Sequence, residues 1–379
     1  MDADAPRDAF AMFDQLDDPR GPSRWHPLDE LLLITILAVI CGAQNWADVE
    51  LFGKSKHKWL ATFLKLPHGI ASHDTFGRVF AALDPEQLER CFIQWTAALA
   101  QTGHGELVAI DGKTIRRSFD TAGEKSAIHM ISAFASANRV ALGQLAIDDK
   151  SNEITALPRL LELLDLQGAT VTVDAMHCQR DTARAIRDAE ADYLMQVKAN
   201  QRSLHEDVKL FFDEAIAHGW QHTGHAFHET IDKDHGRIEQ RRCWSTWDIG
   251  WLKQRTEHAP WPDLAGIVCV EAERHVAGKV SRERRYYLTS RDAHDAEALL
   301  AAVRGHWAIE NSLHWCLDVA FDEDRRRLRQ GHAAENFSRV CRLATNLLRR
   351  DTTTKAGLNA RRKRAGWDHQ FLLHLIQLA

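Results

Sequence analysis

The order of hydrophobic patterns between residues 107 and 198 constrains this chain more than any other feature. LVAID, HMISAFA and VALGQLAI are short apolar runs of β type, and Ser136, Ala137 and Asn138 make a hairpin-length gap between the last two. ITALPRLLELLDL follows with helical spacing, then TVTVDA as a run rich in β-branched residues, RDTARAIRDAE as an amphipathic helix and DYLMQVKA as a further strand. A hairpin makes its strands antiparallel, whereas strands joined through a crossover helix run parallel. Three strands, helix, strand, helix, strand therefore specifies a mixed α/β sheet with an antiparallel hairpin at one side and helices on its faces. Pro158 is expected in or near the first turn of its helix.

This is the element order of an RNase H-like core, and the flanking sequence divides around it. Residues 1–103 read as an all-helical N-terminal domain, with Ser72 or Asp74 as a cap and Asp84 followed by Pro85 as a second helix start. Such helices suit a helix-turn-helix DNA reader using Lys54, Lys56, His57, Lys58 and Arg78, or a domain for protein contacts; periodicity does not separate the two. Residues 104–201 are the first part of the core. Residues 202–290 read as an insertion built on a small antiparallel sheet, with ETIDKDHGRIEQRRCWSTW as one of its strands. Residues 291–350 return to helix, and 351–379 form a basic C-terminal tail ending in a short helix, WDHQFLLHLIQL.

Composition narrows the class. The 379 residues are 45% hydrophobic and 27% charged, as in an ordinary soluble domain, and the net charge of −5 argues against a uniformly basic DNA-coating protein. Cationic residues nevertheless cluster, at Lys113–Arg117, Arg282–Arg285, Arg325–Arg329 and Arg361–Arg364. The seven cysteines show no CxxC pair, which fits neither a zinc site nor a disulfide framework and suits a reducing, cytoplasmic setting. MDADAPRDAF lacks a signal pattern, and the apolar stretch Leu31–Cys41 is too short for a membrane span and reads as a buried helix.

Three acids stand out by their placement. Asp111 and Asp174 each close an apolar β run, on strands that lie side by side in this topology, and ligands in such sheets gather beyond strand ends. Glu310 falls on a helical stripe with Val303, His306, Trp307, Leu313, His314 and Leu317, where a carboxylate is costly to bury without a neutralising partner. Carboxylate oxygen prefers hard cations, so the three together point to Mg²⁺, with Mn²⁺ possible, and to two ions acting on a phosphodiester.

The phrases SHDTFGRVF, AIDGKTIRRS, KSNEI, VTVDAMHCQ, HGRIE, RYYLTS and HWAIENSLHWCLDVAFDED, in this order from about residue 10 to 350, resemble the ISAs family of insertion-sequence transposases, which includes the H-repeat-associated proteins. The resemblance implies a DDE transposase that cuts and joins double-stranded DNA at the terminal repeats of its element, with Asp111 and Asp174 matching the catalytic aspartates and Glu310 the glutamate. It implies a homodimer on DNA, since two ends must be joined, a nucleoid-associated cytoplasmic location and no membrane. The chain departs from the family at Arg117, His177 and Ala199, where glycine is usual. A related hairpin-forming group carries Tyr, Arg and Lys where this chain has Val303, His306 and Leu317, so a hairpin pathway does not follow.

Candidate DNA contacts are Lys113, Arg116, Arg117, His177, Lys198, Asn200, Gln201, Arg237, His306 and Asn311. His306 and His314 could instead orient the glutamate or simply pack. His235, Arg237, Glu239 and Arg241 alternate along one strand and share a face. Trp307 and Trp315 are expected in the core. A family member that binds DNA without catalysis, and a non-specific nuclease of the same fold, remain the alternatives.

Overall fold

Every apolar run of the central segment becomes a strand, because β-branched and aromatic side chains pack well on a pleated surface. The structure, a computed structural model, describes residues 9–22, 24–100, 105–119, 126–147, 153–234, 236–254 and 260–378; His235 lies outside them. The strands are β1 (Leu107–Thr114), β2 (His129–Ala135), β3 (Val140–Ile147), β4 (Thr170–Val173) and β5 (Asp192–Val197). β1 pairs antiparallel with β2 and β2 with β3, while β1–β4 and β4–β5 are parallel. The fold is RNase H-like, as its element order indicates.

The segment after β5 departs from expectation in one respect. Its strands, β6 (Ala226–Asp234), β7 (Arg237–Thr246), β8 (Gly266–Val276) and β9 (Lys279–Thr289), do not form a separate small sheet. β9 pairs antiparallel with β5, giving one nine-stranded sheet in the order β3-β2-β1-β4-β5-β9-β8-β7-β6. β5 would otherwise expose an edge of unpaired backbone groups, and β9 covers it. The stretch 229–247, read from sequence as one strand, falls on two, which fold back on each other at Gly236, whose φ of +73° suits glycine.

Alternation along β1 divides the interior. Val108 and Ile110 enter the core shared with β4, β5 and the helices Glu153–Glu162 and Arg180–Asp188. Ala109 faces the other way, with Met130, Phe134 and Ala141, into a core built from the N- and C-terminal helices. Leu28–Ile40, buried along almost its whole length, packs there against Ala333–Arg350. Helical segments 200 residues or more apart in sequence thus share one core. Pro158 sits at the sixth residue of its helix rather than in the first turn.

Residues 351–379 are not a basic tail. They contain two helices, Leu358–Trp367 and His369–Gln377, with Phe371, Leu372, Leu375 and Ile376 buried. Arg361 Nη1 donates to the Leu348 carbonyl at 2.6 Å and Arg362 Nη2 to that of Val39 at 2.8 Å. Both carbonyls lie in the last turns of their helices, where side-chain donors supplement the backbone, so these arginines serve as C-terminal caps.

Charge is buried where the helices meet the sheet. Arg339 bridges Glu89 at 2.5 Å and Glu335 at 2.8 Å, and Glu89 also accepts the Gln144 amide at 2.6 Å. The loop before Ala333–Arg350 is fixed just as closely. The His332 amide donates to the Ala81 carbonyl at 2.9 Å, and a β-carbon on Gly331 (φ +48°) would overlap that same carbonyl. Gly331→Ala should therefore lower stability by about 1–2 kcal/mol, read as a reduced midpoint in urea unfolding with an unchanged slope.

Candidate active site

The register of β1 and β4 sets the two aspartates side by side. Ile110 aligns with Val173 in the parallel ladder, so the next residues, Asp111 and Asp174, are neighbours. Both lie opposite in parity to Val108, Ile110, Val171 and Val173, hence on the other face of the sheet. Asp174 does leave its strand: Oδ1 accepts the Ala175 amide at 2.7 Å and starts a short turn. Asp111 does not. β1 runs on to Thr114, paired with β2, and Asp111 sits mid-strand opposite Ser132.

The third acid reaches this face through an irregular helix. Ala296–His306 lies across the sheet, and Ile309–His314 then adopts π-helical turns before Trp315–Phe321 resumes α geometry. The Trp315 amide bonds the Glu310 carbonyl, five residues back. A π segment widens the turn and breaks the regular 3.6-residue stripe, a device found mostly at functional sites. Leu313, His314 and Leu317 are buried, but Trp307 and Trp315 are 48% and 61% exposed rather than in the core.

Asp111, Glu310 and His314 converge. One ligand atom from each lies within 4.8 Å of the others. His314 Nδ1 is 3.5 Å from Asp111 Oδ2 and 3.7 Å from Glu310 Oε2. His314 was legible only as a histidine near Glu310, and its place in the acid cluster comes from the π turns. Asp174 stands at the edge of the group, its Oδ1 3.3 Å from Lys198 Nζ. All three carboxylates line a cleft of about 220 Å³, together with Gln196, Glu283 and Arg285. The last two come from β9, so only the β5–β9 pairing brings them here.

The two acids at the centre of the cluster perturb one another. Burial, then the neighbouring Glu310 carboxylate, pushes Asp111 up to about 8. The adjacent His314 imidazole, against the opposing effect of burial, takes Glu310 down to about 2. Adjacent carboxylates resist joint ionisation, so burial and mutual repulsion favour a proton between the pair. A divalent cation would do the same work, and a cleft where Asp111, Glu310 and His314 converge, with Asp174 and Glu283 in its lining, has the donor set to hold one.

The remaining candidates fall into separate groups. Lys198 and His306 line the cleft; His306 Nδ1 is 3.0 Å from Thr172 Oγ1, and burial lowers its pKa. Asn200 and Gln201 donate to the carbonyls of Ala175 and Cys178, at 2.9 and 3.1 Å, bracing the turn that follows Asp174. His177 is buried in that turn, so it presents no surface to DNA. Arg116, Arg117 and Asn311 are exposed. Arg237 begins β7 at the far end of the added strands, beside Glu239, and does not line the cleft.

Lys113 is corrected most. It is 9% exposed, and its ammonium lies 2.5 Å from Asp318, 3.2 Å from Glu323 and 3.3 Å from Asp324. Two residues from Asp111 on the same face of β1, it ties that strand to the segment just beyond Glu310. Glu323 is itself buried, and Arg342 and Lys113 outweigh the effect of burial to hold it well below the usual carboxylate range. Lys113→Met would strand these acids and should cost about 3 kcal/mol in chemical denaturation.

Two family models match the chain. One, described as "Transposase DDE domain", covers residues 102–347, and the model of the region associated with it covers residues 10–96. The transposase candidate YncI of Escherichia coli O157:H7 is 41% identical over 89% of this chain and 86% of its own. YhhI, an H repeat-associated transposase candidate of E. coli K12, is 37% identical over 93% of this chain and 92% of its own. Among solved structures, a piggyBac transposase synaptic complex with hairpin DNA aligns over 95% of this chain and 79% of that chain, with a TM-score of 0.47 and 10% identity.

Proposed function

Since the chain belongs to the family of transposases with a DDE domain, we propose that it cleaves and joins double-stranded DNA at the terminal repeats of an insertion sequence. The observation that carries this reading is the convergence of Asp111, Glu310 and His314, with Asp174 lining the same cleft.

Asp111, Asp174 and Glu310 would hold Mg²⁺ or Mn²⁺, the three together accommodating two ions. Two such ions, when bound, activate an attacking oxygen and stabilise the leaving oxygen of a phosphodiester. His314 fixes the orientation of Asp111 and Glu310. The Thr172 contact steadies His306, which is neutral at pH 7 because burial disfavours its charged form. Lys198 and Arg285 supply cationic donors at the cleft wall for the scissile phosphate. The attacking group is water for cleavage and a DNA 3′-hydroxyl for joining; in each case one P–O bond forms as another breaks and the leaving 3′-oxygen takes a proton.

Two DNA ends must meet for joining, so a homodimer on DNA is the working assembly. Among the described residues no helix is long and apolar enough to cross a membrane, and a DNA substrate places the activity in the cytoplasm, at the nucleoid. Incubating the protein with duplex carrying the flanks of its own locus, with Mg²⁺ or Mn²⁺, and resolving the products on a gel tests the proposal. Products nicked or joined at one position support it. Indiscriminate cleavage without joining would indicate a nuclease, and specific binding without any product a DNA-binding protein.

A further inference from the structure

We propose that a basic groove between helix His73–Ala82 and the loop 326–332 binds the phosphate backbone of the duplex whose end occupies the cleft. This rests on the proposed DNA substrate and adds the surface that holds it.

Two adjoining hollows, of about 590 and 600 Å³, share Arg78 as their common wall. Arg20, Arg24 and the 69%-exposed Trp25 line one; His73, Arg327 and Arg329 line the other. Asp18 is divided between Arg20 at 2.7 Å and Arg24 at 3.2 Å, and Asp74 lies 3.5 Å from His73. Five arginines thus face Asp18 and Asp74, with Glu50 held by His73 at 2.7 Å, and the guanidiniums are left with donors to offer. Arg78 is exposed and donates through Nε to the Asp74 backbone carbonyl at 3.3 Å. Arg327 is exposed. Arg329 stacks over Phe119 at 4.8 Å, and among the described residues its buried Nε has no hydrogen-bond partner.

The groove is rigid. Besides the Gly331–Ala81 approach, Asn336 Nδ2 donates to the carbonyls of Phe80 and Leu83, both at 2.9 Å, holding the arginine loop to the end of the Arg78 helix. It also adjoins the cleft. Arg327 and Arg329 follow Asp324 by three and five residues, and Asp324 lies 3.3 Å from Lys113, two residues past Asp111. Five residues span at most about 18 Å and the two from Lys113 to Asp111 about 7 Å, so that with the paired Lys113 and Asp324 side chains between them the two surfaces lie within about one ~34 Å turn of a duplex. One duplex can therefore touch both surfaces. Preorganised, planar, unspent guanidiniums suit phosphate oxygens and carry no base specificity.

The test uses the full-length protein and the duplex from its own locus in Ca²⁺ buffer, with affinity read by fluorescence anisotropy across a KCl series. For Arg78→Gln/Arg327→Gln, the slope of log K against log[salt] should fall by about 2, near 0.9 per lost phosphate contact, with equal weakening on a scrambled duplex. Arg78→Lys/Arg327→Lys should restore the slope. Arg202→Gln, at an exposed arginine paired with Glu206, should leave it unchanged. An unaltered slope in the Gln double variant, with wild-type binding intact, overturns the groove and leaves it to an acidic protein surface. Failure of the wild type to bind any duplex overturns the functional reading itself.

Discussion

Asp111→Asn, Asp174→Asn and Glu310→Gln should each reduce metal-dependent cleavage of the terminal-repeat duplex by roughly 10³-fold or more, while duplex affinity stays within about threefold. The size follows from the role assigned to these groups. Losing one preorganised charge-stabilising group typically costs 10²–10³ in rate, and a lost oxygen ligand also weakens cation binding. Affinity survives because each change removes negative charge from a surface that receives phosphate. His314→Ala gives a graded comparison. It touches both Asp111 and Glu310 without being needed as an oxygen donor, so a loss of about 10–100-fold is expected, as for outer-shell partners. Gel assays at saturating Mn²⁺ and at limiting Mg²⁺ check both expectations. Full activity in any carboxylate variant would remove that residue from the site, and an inert His314→Ala would reduce the imidazole to packing.

How much of this site was readable in advance depends on how local its determinants are. Asp111 and Asp174 stand at the ends of β-branched runs, and strand parity is a property of neighbouring residues, so their shared face follows from the sequence alone. Glu310 was readable as an acid on an otherwise apolar stripe. The π turns were not, because no local residue pattern demands an extra residue per turn; they arise where Leu313 and Leu317 must stay buried while Glu310 reaches Asp111. That is why Trp307 and Trp315 were expected inside and are found outside. Lys113, Arg361 and Arg362 share a different difficulty. A cation looks the same in sequence whether it faces phosphate, three carboxylates or the last carbonyl of a helix, and only long-range packing separates these cases. The β5–β9 pairing is equally non-local: nothing in RYYLTS states which edge it will cover, yet it delivers Arg285 to the cleft.

The metal-free protein should be destabilised by its own site, and the pH dependence should reveal which acid is responsible. Asp111 carries a folded-state pKa raised from 3.8 to about 8. For a raised pKa, the contribution to stability is complete below the unfolded value and is lost as pH rises through the folded one. In EDTA, then, the wild type should weaken progressively between about pH 4 and pH 8 relative to Asp111→Asn, whose amide cannot ionise. The gap should level off above pH 8 at a few kcal/mol, below the roughly 6 kcal/mol ceiling set by the full shift. Adding Mn²⁺ should reverse the order. The wild type gains stability as the cation replaces the shared proton, and Asp111→Asn gains little. The same exchange predicts that Mn²⁺ affinity, measured by calorimetry, rises nearly tenfold per pH unit from 6 to about 8 and then flattens, with close to one proton released per site at the acid end. Thermal unfolding curves of the two proteins, with EDTA and with Mn²⁺, at four pH values would decide the matter. Parallel curves for wild type and variant in EDTA would mean that Asp111 and Glu310 do not share a proton, and the argument for a cation at their junction would lose its physical basis.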